Sequence, residues 1–208
     1  MVTRQGIVDW LQDLARVYSE NRQLLTDLDA AIGDADHGFN LDRGFAAVKA
    51  ELAANPPADI RAAFAAAATV LIRTVGGAAG PLYGTFFLRA GAASAGKTEF
   101  EATDVVAAFK AGVEGVRQRG KANVGDKTML DALVPAVEAM ERALAEGAGL
   151  AQILERAAAA AEGGMQATIP LQARKGRASY LGARSIGHQD PGATSSHMLI
   201  ESAFRCWR

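Results

Sequence analysis

The chain contains one cysteine, Cys206, close to its C-terminal end, so no internal disulfide can form. That scarcity suits a reducing compartment, and a cytoplasmic location is expected. Charge of one sign is equally scarce: 22 basic and 23 acidic side chains leave a formal net charge of -1 at pH 7. No broad basic surface draws the chain to nucleic acid or to anionic membrane, and neither is expected as a partner. Long hydrophobic runs are missing as well. The longest nearly uninterrupted apolar stretch, Ala62 to Ile72, is too short and too rich in alanine to span a bilayer. The N-terminal segment mixes charged residues among its apolar ones and lacks a secretory apolar core. No convincing alternation of apolar and polar residues marks a strand, which argues against an α/β template.

What is present is helical spacing. Ile7, Trp10, Leu11, Leu14, Val17 and Tyr18 fall on one stripe. Similar patterns predict further helices over about 40–53, 58–74, 80–95, 101–118, 127–146, 149–163 and 193–205. Pro135 is expected to kink its helix or to mark its true start. The 208 residues fit one domain, 1–208, built as an all-α, up-and-down antiparallel bundle of about eight helices. Alanine-rich faces such as Ala65–Ala68 and Ala157–Ala161 suit close helix packing. Four polar, glycine-rich connections interrupt the helices: 33–40, 76–85, 120–128 and 174–194. Connections separated by two helices lie at the same end of an antiparallel bundle, so these can build one composite site.

The first connection carries the strongest chemistry. Asp29, Asp34 and Asp36 stand with His37 and Asn40 between two helical segments. Clustered carboxylates repel one another unless cations neutralise them, and hard oxygen ligands favour Mg²⁺ or Ca²⁺ over zinc. An EF-hand loop would need glycine at its sixth position and an acidic ligand at its twelfth; Phe39 and Phe45 stand there instead. A solvated turn is the plain alternative reading of Asp-Ala-Asp-His-Gly. In the second connection, Gly76, Gly77, Gly80 and Gly84 precede or open a helix, where backbone N–H groups can approach a phosphate closely. The third resembles a Walker A loop in the spacing of Gly120 and Gly125, but Asp126 stands where lysine should and no strand precedes it. The fourth is basic, with Arg174, Lys175, Arg177 and Arg184, and arginine suits bidentate phosphate contacts. His37 and His188 are each open to a role as metal ligand, base or ordinary loop residue. These features point to a magnesium–nucleotide or magnesium–diphosphate site; a prenyl-diphosphate synthase would also satisfy this, but no DDxxD pair is present.

The stretches Leu28–Gly38, Val75–Phe87, Gly125–Met129, Gln172–Gly182 and Ser185–Thr194 together resemble the nucleotide-binding L-subunit (DhaL, or Dak2) family of bacterial dihydroxyacetone kinases. The resemblance runs nearly end to end and implies a barrel of eight antiparallel helices with nucleotide at one end. It further implies that Asp29, Asp34 and Asp36 hold two Mg²⁺ ions, and that His37, Gly38, Phe39 and Asn40, with the backbone at Ala78 and Ala79, line the phosphates. Gly120, Met129 and the Asp190-Pro191-Gly192 turn would border the adenosine, and Arg177 would reach the phosphates and act in catalysis beside the three aspartates. The implied cofactor is ADP or ATP. In the phosphotransferase-system version, ADP is a resident coenzyme rephosphorylated by an M subunit, and the phosphoryl group passes to dihydroxyacetone held on a K subunit. Where the family usually shows serine, this chain has Ala79, which would forfeit a hydroxyl contact worth about 1 kcal/mol. Two further readings stay open: a subunit of an ATP-dependent ketose kinase with exchangeable nucleotide, and a non-catalytic nucleotide-sensing regulator. The sequence also leaves open whether the chain forms a homodimer.

Overall fold

Residues 1–208 are described by a computed structural model. The helices are α1 (Arg4–Glu20), α2 (Arg22–Ile32), α3 (His37–Ala54), α4 (Ile60–Thr74), α5 (Ala79–Ala93), α6 (Ala102–Gly120), α7 (Leu130–Ala145), α8 (Leu150–Ala167) and α9 (Pro191–Trp207). A 3-10 helix spans Arg177–Ser185. Eight of these elements close a ring: α1 packs on α3, each helix from α3 to α9 packs on the next, and α9 returns to α1. The expected all-α barrel of eight antiparallel helices is therefore the fold. The ninth helix, α2, packs on α3, α9 and the 3-10 helix.

Apolar spacing alone does not separate α1 from α2. The break comes at Asn21, whose side-chain amide and backbone N–H both donate to the carbonyl of Val17, ending one helix and letting the next begin. A two-residue ribbon, β1 (Val2–Thr3) with β2 (Glu99–Phe100), is likewise absent from the sequence pattern, because so short a strand carries no alternation to read. The predicted start of α7 at residue 127 moves to Leu130, since Lys127 adopts a positive φ of 62° that no helix continues. Pro135 neither starts nor ends that helix; it sits in the second turn. A proline there cannot bond the carbonyl of Asp131, and α8 covers that oxygen with Gly164, where a Cβ would lie only 2.0 Å from it.

The barrel is filled by aromatic rings, although these make up only 6% of the chain. Trp10 is fully buried, with ring centroids 4.8 to 6.3 Å from Trp207, Phe109, Phe87 and Phe64. Phe45, Tyr18 and Tyr83 continue the file toward the other end. The ribbon, Val2, Phe100 and Trp207 close the end where α1 begins and α9 finishes. No helix is long and apolar enough to cross a membrane.

Candidate functional site

At the other end α3, α5, α7 and α9 all begin, and their first residues surround a cleft of about 510 Å³. His37, Ala79, Leu130 and Pro191, each the first residue of one of these helices, line it. Each start directs the positive end of a peptide dipole toward the cleft, and the first N–H groups of α5 have no side-chain cap. Gly76 and Gly77 enter the lining ahead of α5, and Gly77 has φ +63°, a conformation glycine adopts without strain.

The acidic cluster closes one side. Asp29, near the end of α2, and Asp34 and Asp36, in the turn beyond it, have ligand oxygens within 4.8 Å of one another. Asp29 is 8% exposed, and its Oδ2 accepts hydrogen bonds from the backbone N–H of Asp36 (2.9 Å) and of His37 (3.2 Å). A carboxylate from one helix thus caps the start of the next and fixes the turn, leaving its other oxygen free of those bonds. Gly33 permits this: a Cβ there would lie 2.0 Å from Asp29 Oδ1. Three clustered carboxylates are a hard-oxygen donor set that fits Mg²⁺.

Arg177 approaches from the 3-10 helix, and its Nε forms an ion pair with Asp34 Oδ2 at 2.9 Å. This pair is exposed, so it is held weakly and can open at little cost. Behind the turn, Ser195 organises a buried network. Its hydroxyl donates to the carbonyl of Gly192 (3.1 Å) and accepts from the Tyr83 hydroxyl (2.7 Å). The remaining lone pair faces His37 Nε2 at 2.9 Å, an assignment that makes Nε2 the proton-bearing nitrogen. Burial holds His37 below the usual histidine range, so the ring is neutral near pH 7. Asp190 caps α9 by accepting from the N–H of Ala193 at 2.7 Å, and burial pushes its pKa up to about 7.

The cleft brings together most of the residues singled out in the sequence: Asp29, Asp34, Asp36, His37, Ala78, Ala79, Gly120, Met129, Arg177, Asp190, Pro191 and Gly192. Gly38, Phe39 and Asn40 stand outside its lining. Gly38 packs against α2, where a Cβ would lie 2.0 Å from the carbonyl of Arg22. Phe39 lies under the Arg22 guanidinium, 5.1 Å from ring centroid to Cζ. Asn40 is buried and accepts from Arg43 Nη2 at 2.6 Å, tying α3 to the end of α4. Sequence reasoning misses Ser195, which carries no motif signal, and assigns no role to Lys127, although it falls within the Gly125–Met129 stretch of the resemblance. It also misses Asp131, whose two oxygens accept from the N–H groups of Gly125 (2.6 Å) and Thr128 (2.7 Å) and so shape the loop before α7. A groove of about 520 Å³ along α4, α5 and α6 equals the cleft in size but has no carboxylate in its lining.

A model of the DAK2 domain matches residues 31–205. The chain is 45% identical over 200 residues to the "PEP-dependent dihydroxyacetone kinase, ADP-binding subunit DhaL" of Escherichia coli (strain K12), covering 96% of this chain and 95% of that protein. It is 37% identical over 202 residues to the "PTS-dependent dihydroxyacetone kinase, ADP-binding subunit DhaL" of Lactococcus lactis subsp. lactis (strain IL1403), covering 97% of each. Among solved structures, the dihydroxyacetone kinase of C. freundii in complex with AMP-PNP and Mg²⁺ superimposes with a TM-score of 0.73 at 25% identity, covering 96% of this chain and 33% of that one.

Proposed function

The chain belongs to the DAK2 domain family, and on that premise we propose that it is the ADP- and magnesium-binding subunit of a dihydroxyacetone kinase. One observation carries this reading: three carboxylates within 4.8 Å of one another face a cleft ringed by four helix N-termini. Cation ligands beside anion-binding helix ends are what a metal–polyphosphate needs, and neither half alone would hold it.

Asp29, Asp34 and Asp36 hold two Mg²⁺ ions in this reading. Bound there, the metal neutralises phosphate charge and polarises the transferring phosphoryl group. The backbone N–H groups at the start of α5 hold phosphate oxygens, with Ala79 supplying its N–H but no hydroxyl. Gly120, Met129 and the Asp190–Gly192 turn border the adenosine. Arg177 leaves its exposed pairing with Asp34 and supplies positive charge where it is needed in phosphoryl transfer. The acceptor hydroxyl, that of dihydroxyacetone, comes from a separate K-type subunit. An M-type subunit of the phosphotransferase system rephosphorylates the resident ADP.

Native mass spectrometry of protein purified without added nucleotide, followed by dilution into excess ATP, tests the reading. A mass increment matching ADP with magnesium that ATP does not displace supports the resident-coenzyme version. Rapid exchange moves the assignment to an ATP-dependent ketose kinase, and makes the absent hydroxyl at Ala79 the first suspect. Failure to bind ADP at all, or bound nucleotide with no transfer alongside a K-type partner, rejects the kinase assignment.

A further inference from the structure

Lys127 is 1% exposed and adopts a positive φ of 62°. Its Nζ donates to four backbone carbonyls: Thr168 (2.9 Å), Leu171 (3.1 Å), Ser185 (2.8 Å) and His188 (2.5 Å). An ammonium group has three protons, so four oxygens around it resemble the coordination of a compact cation more than ordinary pairing. These oxygens come from the turn after α8, the end of the 3-10 helix and the run into α9. The same stretches lead to two parts of the cleft lining, Arg177–Ala178 and Asp190–Gly192. They are also cross-tied: Asp190 N donates to Thr168 Oγ1 (3.0 Å), Gly187 N to the carbonyl of Ile169 (2.8 Å), and Ala173 N to Ser185 Oγ (2.9 Å).

We propose that Lys127 is a positioning residue, a built-in monovalent cation that gathers these four carbonyls and thereby sets the spacing between the phosphate wall and the adenosine wall of the cleft. Carbonyl oxygens aimed at one point repel one another when no positive charge stands among them. The strained backbone of Lys127 persists because this clasp holds it. Nucleotide affinity therefore depends on a cation in the cage, although Nζ is fully engaged with protein oxygens. A free ion of the size of ammonium can serve in place of the side chain.

The inference rests on the nucleotide reading above, and the test separates the two. Full-length Lys127→Ala is titrated with ADP and Mg²⁺ by calorimetry, once in tetramethylammonium chloride and once in ammonium chloride of equal ionic strength. Alanine also carries a Cβ, so the backbone cost of positive φ is common to both chains. In tetramethylammonium, which is too large for the cage, the variant binds ADP at least about tenfold more weakly than the parent. Ammonium restores the affinity in a saturable way, and the parent behaves alike in both salts. Parental affinity of the variant in tetramethylammonium overturns the proposal, as does an equal loss in both salts with an unchanged circular dichroism spectrum. If Lys127→Ala folds in neither salt, Lys127→Arg decides: its guanidinium is too broad for the cage, so parental ADP affinity overturns the proposal and a tenfold loss, about 1.4 kcal/mol, supports it. If the parent itself binds no ADP, the nucleotide reading has failed. The clasp is then judged by hydrogen exchange over residues 168–188 of Lys127→Ala, where protection regained with ammonium supports it and indifference to ammonium overturns it.

Discussion

The two ends of the barrel are made by the same helices and finish them in opposite ways. At the closed end, α1 is capped by Thr3, which accepts from the N–H of Gly6, and α4 by Asp59, which accepts from that of Ala62. There α6 is bracketed by Glu101 and Asp104, and α8 alone, opened by Gly149, lacks a side-chain cap. At the cleft end, the N-cap side chains of α3, α5 and α7 make no such bond, and only α9 has its own cap, Asp190. A missing cap costs a helix about 1 kcal/mol. At α5 that cost falls where free N–H groups are useful to an anion, whereas α3 is spared it by Asp29, which accepts from the N–H groups of Asp36 and His37. Buried polar side chains are divided the same way: apart from Ser94 and Ser202, they lie toward the cleft end, whereas the closed end is sealed by Val2, Phe100 and Trp207. Stability is concentrated at one end and chemistry at the other.

The sharpest way to test that division is to damage each end separately. Trp10→Ala removes the ring at the centre of the aromatic file and should cost about 3–5 kcal/mol in urea unfolding, while the folded fraction keeps its ADP affinity. An equal loss of affinity would show that the two ends are coupled. Asp36→Ala should do the reverse, weakening magnesium-dependent ADP binding by about a hundredfold or more, close to 3 kcal/mol, with little change in melting temperature. If ADP binding survives, the acidic cluster is not the metal site.

A subtler contrast concerns pH. Asp190 titrates at about 7 in the folded chain, above the value of roughly 3.9 for an unperturbed aspartate. Between those values the folded chain binds more protons than the unfolded one, so this group makes stability fall as pH rises from about 4 to 7, by at most about 1.4 kcal/mol per unit. Asp190→Asn keeps an oxygen for capping and removes the titration. Urea midpoints at pH 5 and pH 7 should differ less favourably toward low pH in that variant, and an unchanged difference would refute the burial argument. The smallest stability change is expected for Arg177→Ala. Its pairing with Asp34 is largely exposed, so unfolding energy should shift by less than about 1 kcal/mol, while phosphoryl transfer with partner subunits falls by about 10²-fold or more. A large loss of stability with normal transfer would reverse the role given to Arg177.

Much of this is legible in the sequence, for reasons that differ from element to element. The long amphipathic helices are readable because one face is buried, and the acidic turn because Asp29, Asp34, Asp36 and Gly33 lie within eight residues. The break at Asn21 is not, since it depends on one side chain turning back on its own helix, without glycine or proline to mark it. For Gly38 and Asn40, which the resemblance places beside the phosphates, the packing adds what no motif shows: Gly38 lies close against α2, and the Asn40 amide lies between Arg43 and Gly76. Lys127 is hidden most completely. Its four partners lie 41 to 61 residues away and are backbone oxygens, which every residue possesses and no motif records.

The closing of the ring by α9 against α1 has one more consequence. Trp207 Nε1 donates to the carbonyl of Gly6 at 3.0 Å, and Val2 pairs with Phe100, so both chain ends emerge side by side on the face opposite the cleft. A module arranged in this way can be spliced into a longer polypeptide, or carry a tag or fluorophore at either end, with its working face left unobstructed. The solved relative that this chain covers to 33% of its length is such a longer polypeptide.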